Sequence, residues 1–192
     1  MDTRTRILDT ALQLFNSTGT SDISTNHIAR ACQISPGNLY YHFRNKQEII
    51  RELFQRLYAE WDTRLTLSAD RLPTLADVRA VVEANYQIIW EYRFAYRELT
   101  ALLRQDAALH KEFIAVRQRG LAGFRSMFGN LVAAGVLREP DEPQAVEQVM
   151  EVVWLISEFW VNTLEISGRQ VDEAAMGRGV ELMLRVLKPY LA

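Results

Sequence analysis

Residues 35–46 bring together small, amide-bearing and aromatic side chains in a segment too short for a core helix. Ser35 is a favourable helix N-cap, and Pro36 follows at the first turn, where a helix tolerates proline best. Leu39 and Phe43 are four residues apart and therefore share one face, which can be buried. The opposite face is left with hydrogen-bonding and aromatic residues: Gly37, Asn38, Tyr41 and His42. The pattern predicts a two-turn helix that presents these groups to a partner.

The chemistry available to this short helix is that of base and phosphate recognition. An asparagine amide such as that of Asn38 can bond to adenine through two hydrogen bonds, and a tyrosine ring can contact the methyl group of thymine. The flanking hydroxyls and Lys46 are suited to holding phosphates. Insertion into the major groove of DNA is one interpretation, and a helical corner with exposed aromatic residues is the alternative.

Other chemistries lack the residues that they need. His27 and His42 have no second ligand at a suitable spacing, so we expect no metal site. His110, with Asp106 and Glu112 nearby, is expected to be solvated. The sequence contains no Ser/His/Asp arrangement, paired-carboxylate motif or phosphate-binding loop. We therefore expect no catalytic residues, no cofactor and no enzymatic activity.

The elements that would position the short helix can be read on either side of it. Residues 3–18 carry an apolar stripe at helical spacing, and Gly19 supplies a stop. Ser24 caps a second short helix over residues 25–31, followed by a tight turn at Gln33. Behind the short helix, Asn45 with an acidic residue three positions later opens a further helix. Helix, turn and short helix at this spacing predict a helix-turn-helix.

Residues 28–50 closely resemble the DNA-binding signature of the TetR/AcrR family of bacterial transcriptional regulators, and residues 7–15 match the helix before it. Two positions depart from the usual pattern: Cys32 replaces a small residue, and Gln33 stands where the family has glycine. We expect Gln33 to adopt a left-handed or otherwise strained conformation.

The resemblance implies a set of DNA-contacting residues. Carried over by position, it implies phosphate contacts at Thr25, Tyr41, His42 and Lys46. It implies base or near-base contacts at Asn26, Pro36, Gly37, Asn38 and Tyr40, and Ser35 is added as the cap beside them. Leu39 and Phe43 are expected to be core residues.

The composition is that of an ordinary globular protein with one sizeable core. The chain has 192 residues, 48% hydrophobic and 24% charged, with a formal net charge of −2. Strand-like alternation is scarce, so we expect an all-α fold. Cys32 is the only cysteine, which fits a reducing cytoplasm and excludes an internal disulfide. No apolar run is long enough for a signal peptide or a membrane span, so we expect a cytoplasmic protein without membrane partners.

The chain divides at a long connecting helix expected over residues 45–68. We assign residues 1–46 to a helix-turn-helix DNA-binding domain and residues 47–192 to a helical ligand-binding and dimerisation domain. Residues 71–73 interrupt the helical pattern. Five amphipathic segments follow, giving about nine helices in all: 74–92, 94–105, 107–134, 143–166 and 172–191.

Residues 149–166 are apolar on almost every side of the predicted helix, whereas a surface helix needs only one apolar stripe. One face can pack in the subunit and the other against a second subunit, as the family resemblance also implies. Gly177 and Gly179 would permit close approach of the last helix. We predict the interface residues Val153, Trp160, Val161, Leu164, Val180, Met183, Leu184 and Leu187. A central helix buried in a monomer is the alternative.

Aromatic residues are dense from Tyr58 to Phe113, and several together can line an apolar pocket with few polar groups. The resemblance implies that such a pocket binds a small-molecule inducer, expected to be largely apolar. We predict the lining residues Trp61, Tyr86, Trp90 and Tyr96, with Arg97 or Arg104 as anchors. Plain core packing is the alternative for each aromatic residue.

The sequence thus predicts a homodimeric regulator that binds a palindromic double-stranded DNA operator, and a repressor that responds to a ligand. Two other classes remain open at this point. An enzyme would need a convergent catalytic set, and a helical protein-interaction module would need no DNA-reading helix.

Overall fold

The computed structural model describes residues 2–67, 70–140, 142 and 144–192. These residues form ten α-helices and a closing 3₁₀ turn, and this part of the chain contains no β-strand. The fold is therefore all-α, as predicted. The helices are α1 Thr3–Thr18, α2 Thr25–Ala31, α3 Pro36–His42, α4 Lys46–Arg64, α5 Leu75–Glu91, α6 Arg93–Arg97, α7 Leu99–Gln105, α8 Ala107–Ala133, α9 Ala145–Ile166 and α10 Glu173–Leu187.

Helices α1 to α3 form what we call the head, and α2 and α3 begin where the capping residues predict. The Ser24 side chain accepts from the backbone N–H of His27, and the Ser35 side chain accepts from that of Asn38. Gln33 has φ 55°, so the residue standing in the usual glycine position does adopt the left-handed conformation. The head is closed by buried apolar residues from all three helices: Ile7, Phe15, Ile28, Leu39 and Phe43.

Helix α4 joins the head to helices α5 to α10, which we call the body. The Asn45 side chain accepts from the backbone N–H of Glu48 at the start of α4. The Glu48 carboxylate accepts from the backbone N–H of Arg44, at 2.7 Å. The helix ends at Arg64, short of the predicted residue 68, which lies outside the described residues.

The body differs from prediction in one helix break. The segment predicted over residues 94–105 is two helices, α6 and α7, because the chain bends at Glu98. This break raises the number of helices from about nine to ten. The predicted start of the next-to-last helix at Pro143 lies outside the described residues, and α9 begins at Ala145. The last helix ends at Leu187 and continues as the 3₁₀ turn Lys188–Tyr190.

One apolar cluster runs through the head and most of the body, and it includes Ile7 of α1, Leu53 of α4, Phe94 of α6 and Met183 of α10. A smaller cluster lies at the far end of the body, around Phe128 and Leu187. Helix α5 contacts both α4 and α10. None of the helices in the described ranges has the length and apolar character needed to cross a membrane.

Most of the residues predicted for the dimer face are buried within the subunit. Six of the eight predicted residues are buried inside a single subunit: Trp160, Val161, Leu164, Val180, Met183 and Leu187. Val161 and Leu164 have no exposed surface at all and cannot contact a second subunit directly. Val153 and Leu184 are partly buried against the same core. Helical periodicity identified two apolar faces on α9 but could not indicate which one faces inward.

The apolar face that remains open on α9 and α10 consists of other residues. Leu155 is 60% exposed and Phe159 44%, and Val152, Ile166 and Leu182 are also exposed. Gly179, which we expected to allow close approach, does so within the subunit. A β-carbon built at this position would collide with the Tyr86 ring and lie 2.9 Å from the indole nitrogen of Trp160.

Candidate nucleic-acid interface

The short helix α3 is held by its buried face and by the turn before it. Leu39 and Phe43 are 0% and 1% exposed, so the two apolar positions point into the head as predicted. In the preceding turn, the backbone N–H of Gln33 donates to the carbonyl of Arg30, and that of Ile34 donates to the carbonyl of Ala29. These contacts fix the outer face of α3 relative to α2.

The outer face of α3 is open to solvent. Tyr41 is 85% exposed and Tyr40 48%. The predicted contact residues Ser35, Pro36, Gly37 and Asn38 are also exposed, as is Asn26 of α2, whereas Thr25 and His42 are half-buried. The structure therefore places all of the residues predicted from α2 and α3 at a surface or its margin.

Several of these side chains are oriented by neighbouring groups. The hydroxyls of Thr25 and Tyr40 lie 3.0 Å apart and share a hydrogen bond between α2 and α3. The Tyr41 ring stands edge-on to the His42 ring, with ring centroids 5.2 Å apart. The hydroxyl of Ser35 accepts from the backbone N–H of Asn38 at 3.1 Å and thereby caps α3. Ser35 therefore has a structural role whether or not it contacts DNA.

Lys46 is placed at the other end of the predicted set, in the first turn of α4. Its ammonium group donates to the carbonyl of Thr20 at 2.6 Å. Thr20 lies in the segment between α1 and α2, so this bond joins that segment to α4. Because an ammonium group has three donors, two remain for a phosphate.

Two arginines beside α3 were missed by the sequence analysis. Arg4 donates to the carbonyl of His42 at 3.0 Å and to the Glu52 carboxylate at 2.7 Å, with its guanidinium over the Phe43 ring. The Arg44 side chain is 89% exposed just beyond the end of α3. Both border an open groove of about 550 Å³ next to α3. The charge of Arg44 next to the short helix was visible in the sequence, whereas only the fold shows that Arg4 lies beside that helix.

The structure brings only two of the predicted pocket residues together at a cavity. The indole N–H of Trp61 donates to the Tyr96 hydroxyl at 3.2 Å, and both residues line a small cavity of about 10 Å³ between α4, α6, α8 and α9. Phe54, Leu57, Ala95, Leu99, Phe113 and Glu158 complete the lining. A cavity of this size has room for about one water molecule at most, so a larger ligand must widen it.

The other predicted pocket residues lie elsewhere. Tyr86 is buried against α10, and its hydroxyl is without a hydrogen-bond partner in the described part of the chain. Trp90 is 38% exposed, with the guanidinium of Arg93 over its ring. Arg97 is paired with Glu165 at 2.7 Å, and Arg104 is exposed. These four residues do not line the cavity, because helices α5, α6 and α7 turn them towards the subunit core or the solvent.

Glu158 is the one acidic residue of the cavity lining. Burial raises the pKa of its carboxyl, while the charge of Arg117 and a hydrogen bond from that residue oppose the shift. The Arg117 guanidinium also lies over the Trp154 ring, 4.1 Å from its centroid. Burial likewise raises the pKa of the Tyr96 hydroxyl, which therefore stays protonated at neutral pH. Within the described ranges, no group of three or more His, Cys, Asp or Glu residues could hold a metal ion.

Comparison with family models identifies both parts of this arrangement. Residues 7–53 match the model described as bacterial regulatory proteins, tetR family, and residues 43–192 match the model described as bacterial transcriptional repressor. The second match alone covers well over half of the chain. The chain belongs to the TetR family. This confirms the resemblance drawn from residues 28–50.

Two solved structures resemble the chain to different degrees. The crystal structure of a TetR-family regulator from Marinobacter aquaeolei VT8 is 36% identical, has a TM-score of 0.90, and is matched over 100% of this chain and 92% of its own. SmeT, solved as a complex with triclosan, has a TM-score of 0.71 at 20% identity, over 99% of this chain and 92% of its own. The latter likeness concerns the fold alone.

Among curated relatives, the similarity covers only part of the chain. The regulator UidR of Escherichia coli K12 is 43% identical over 51 residues, which are 27% of this chain and 26% of UidR. YttP of Bacillus subtilis is 22% identical over 114 residues, 59% of this chain and 55% of YttP. The chain thus spans about a quarter to a half of the length of these relatives.

Proposed function

We propose that the chain is a sequence-specific DNA-binding transcriptional repressor that acts in the cytoplasm as a homodimer and releases DNA when a small molecule binds the body. The observation that carries this proposal is the outer face of α3. A two-turn helix, anchored by Leu39 and Phe43, exposes an amide and two tyrosines and very little charge. Such a face suits base edges in the major groove.

Different residues of the head are proposed to contact bases and phosphates, according to their positions on α2, α3 and α4. Asn38 and Tyr40, together with Asn26, Pro36 and Gly37, are proposed to lie against bases. Thr25, Tyr41, His42 and Lys46 are proposed to hold phosphates, with Ser35 as the cap between the two sets. Thr25 and Lys46 each lie in the first turn of a helix, where backbone N–H groups favour an anion.

A dimer follows from the geometry of the operator. Two copies of α3 must reach successive major grooves about 34–36 Å apart, which requires a second subunit related by a two-fold axis. The exposed apolar face of α9 and α10, with Leu155 and Phe159 at its centre, is proposed to form that contact. This replaces the buried residues first predicted for the interface.

The ligand site is proposed at the cavity between Trp61 and Tyr96. Its lining is aromatic and aliphatic apart from Glu158, so a largely apolar ligand fits it best. A ligand that widens the cavity would favour an arrangement of α4 and α6 different from the one that binds DNA. Coupling of about 1–3 kcal/mol between the two sites is sufficient for such a response.

Selection of bound fragments from random duplex DNA with the purified chain tests the proposal. We expect a palindromic site, with binding that weakens steeply as salt concentration rises. Matched selections with Asn38→Ala and with Asn130→Ala, an exposed asparagine on α8, separate the reading helix from nonspecific effects. Recovery of no enriched duplex by the wild-type chain would overturn the proposal.

A further inference from the structure

Glu98 lies at the break between α6 and α7, where both oxygens of its carboxylate receive hydrogen bonds from one residue of the head. The backbone N–H of Thr20 donates to Oε1 at 2.8 Å, and the Thr20 hydroxyl donates to Oε2 at 2.5 Å. Thr20 is 6% exposed, so water does not compete freely for these bonds. A carboxylate held by two donors of a single residue fixes the position of that residue closely.

The neighbouring glycine lets the chain come this near. Gly19 has φ 93°, a conformation that residues with a side chain rarely adopt, and a β-carbon there would lie 3.0 Å from Glu98 Oε1. The segment between α1 and α2 therefore fits around the carboxylate. Glu98 is separated from Thr20 by 78 residues, so this contact links the body to the head.

The backbone carbonyl of Thr20 contacts a third residue, Lys46 of α4. Its carbonyl accepts from the ammonium group of Lys46 at 2.6 Å. Thr20 thus donates to a carboxylate of the body through its N–H and its hydroxyl. Its carbonyl accepts from an ammonium group of α4. The three residues form a continuous chain of hydrogen bonds: Glu98, Thr20, Lys46.

We infer that Glu98 is a positioning residue for DNA binding, which acts through Thr20 to hold the ammonium group of Lys46 where a phosphate can reach it. The inference rests on the proposed function, in which Lys46 contacts DNA. A free lysine side chain samples many rotamers and loses that freedom when it binds, whereas one already held loses less. The hydrogen bond that holds Lys46 in place therefore favours DNA binding.

Breaking the hydrogen bonds that join Glu98, Thr20 and Lys46 does not detach the head from the body. The Asn16 side chain makes two separate bonds to the body, to the carbonyl of Glu91 and the backbone N–H of Phe94. Arg97 also donates to the carbonyl of Asn16, at 3.3 Å. Substitution at Glu98 or Thr20 can therefore change the position of Lys46 while the fold persists.

A chemical test of the linkage needs no DNA. The chain has three lysines, Lys46, Lys111 and Lys188, and the latter two are exposed. Under limited acetylation followed by peptide mass spectrometry, we expect Lys46 to react several-fold more slowly than the other two. Glu98→Ala and Thr20→Val should raise its relative rate towards theirs. Thr20→Ser, which keeps the hydroxyl, and Glu83→Gln, a surface control on α5, should leave the rate unchanged.

A second test measures binding to the duplex selected from random DNA, over a range of salt concentration. Lys46→Met should weaken binding and reduce the slope of log affinity against log salt by about 0.9. Glu98→Ala and Thr20→Val should weaken binding about 3- to 10-fold and lower the slope in the same direction. Added to Lys46→Met, they should have no further effect. A merely structural role would change stability but not the slope.

The outcomes separate the inference from the proposed function. Equal acetylation of all three lysines in the wild-type chain overturns the inference, as does a Glu98→Ala effect that persists undiminished in the Lys46→Met background. If a duplex is selected but Lys46→Met binds it with an unchanged slope, the inference and the phosphate role of Lys46 fail, while DNA binding by the chain stands. If no duplex is selected, both fail. Should Glu98→Ala not fold, the pair Thr20→Val and Thr20→Ser decides the matter.

Discussion

The side-chain oxygen of Asn16 accepts a hydrogen bond from the backbone N–H of Phe94 at 3.0 Å, in a buried position where α1 meets the start of α6. The amide nitrogen of the same side chain donates to the carbonyl of Glu91 at 2.8 Å. One asparagine therefore satisfies a donor and an acceptor of the body that the ends of α5 and α6 leave unpaired. The amide can serve both because it carries a donor and an acceptor on separate atoms.

Replacing Asn16 should destabilise the whole chain. Asn16→Leu leaves the Phe94 N–H and the Glu91 carbonyl without partners, and we expect a loss of about 2–4 kcal/mol in the free energy of unfolding. Asn16→Asp keeps the acceptor but places a buried carboxylate oxygen against the Glu91 carbonyl, so it should also destabilise the chain. Urea denaturation followed by circular dichroism measures both. A Leu variant as stable as wild type would show that water or local movement satisfies these groups.

Asn38→Ala should change which sequences are bound more than how tightly DNA is bound. If the amide bonds to a base, we expect discrimination at one position of each half-site to fall by about 1–3 kcal/mol. Competition binding with operator duplexes altered at single positions measures this. The control is Asn130→Ala on α8. Uniform weakening across all duplexes would instead assign Asn38 to the phosphate backbone.

Charge placed on the exposed face of α9 should separate the subunits. Leu155→Glu and Phe159→Glu each put a carboxylate where we propose apolar contact, and we expect the dimer dissociation constant to rise at least about 10-fold. Sedimentation velocity at several concentrations measures it. Leu72→Glu, at a residue 72% exposed before α5, is the matched control. An unaffected dimer would move the interface to another surface.

Gly179→Ala should destabilise the subunit, because its β-carbon would collide with the Tyr86 ring and the core has to shift. We expect a loss of about 1–3 kcal/mol in the free energy of unfolding. Gly177→Ala is the natural control on the same helix, since a β-carbon there meets nothing within 4 Å. That substitution should be neutral or stabilise by up to about 1 kcal/mol. Equal effects at the two positions would refute the packing argument.

The contact between Arg51 and Asp106 should make stability depend on acid pH. A hydrogen bond from Arg51, at 2.6 Å, lowers the pKa of the Asp106 carboxyl below its ordinary value of 3.8, aided by backbone N–H groups at the start of α8. Because the folded pKa is the lower one, the stabilisation is complete above the unfolded pKa and is lost as pH falls through the folded pKa. It is worth about 0.5–1 kcal/mol, since Arg51 is half exposed.

Asp106→Asn tests this dependence. The variant should be less stable than wild type at pH 6, and the difference should shrink as the pH is lowered below 4. Asp62→Asn, at an exposed position on α4, serves as the control. Urea midpoints measured from pH 2.5 to 7 give the comparison. A difference that stays constant with pH would show that ionisation of the Asp106 carboxyl does not contribute to stability through these contacts.

The head was predictable because its signals are local. Ser24, Ser35 and Asn45 each cap a helix by accepting from the backbone N–H three residues later. The left-handed conformation of Gln33 was expected because this residue stands where the family has glycine. The burial of Leu39 and Phe43 needed only a four-residue spacing. Each of these depends on chain neighbours, which a sequence displays directly.

The body was less predictable because its decisive contacts join distant residues. Hydropathy placed two apolar faces on α9 but could not tell Val161, which is fully buried, from Leu155, which is 60% exposed. Trp61 and Tyr96 are hydrogen-bonded although they are 35 residues apart in the sequence, whereas the Trp90 side chain is partly exposed to solvent. The contact of Glu98 with Thr20 has no sequence signature, since a surface glutamate and a loop threonine are common anywhere.

The apolar cluster that extends from Ile7 to Met183 limits how the protein can be cut and recombined. A fragment ending after α3 would lose Ile49 and Leu53 of α4, which are fully buried beside the head in the intact chain. A chimera that transplants the DNA specificity of one relative onto the regulatory half of another should therefore exchange α4 as well, and retain matching residues at positions 16, 20 and 98. A junction placed at the start of α4 would leave unmatched apolar surfaces on both parts of the chimera.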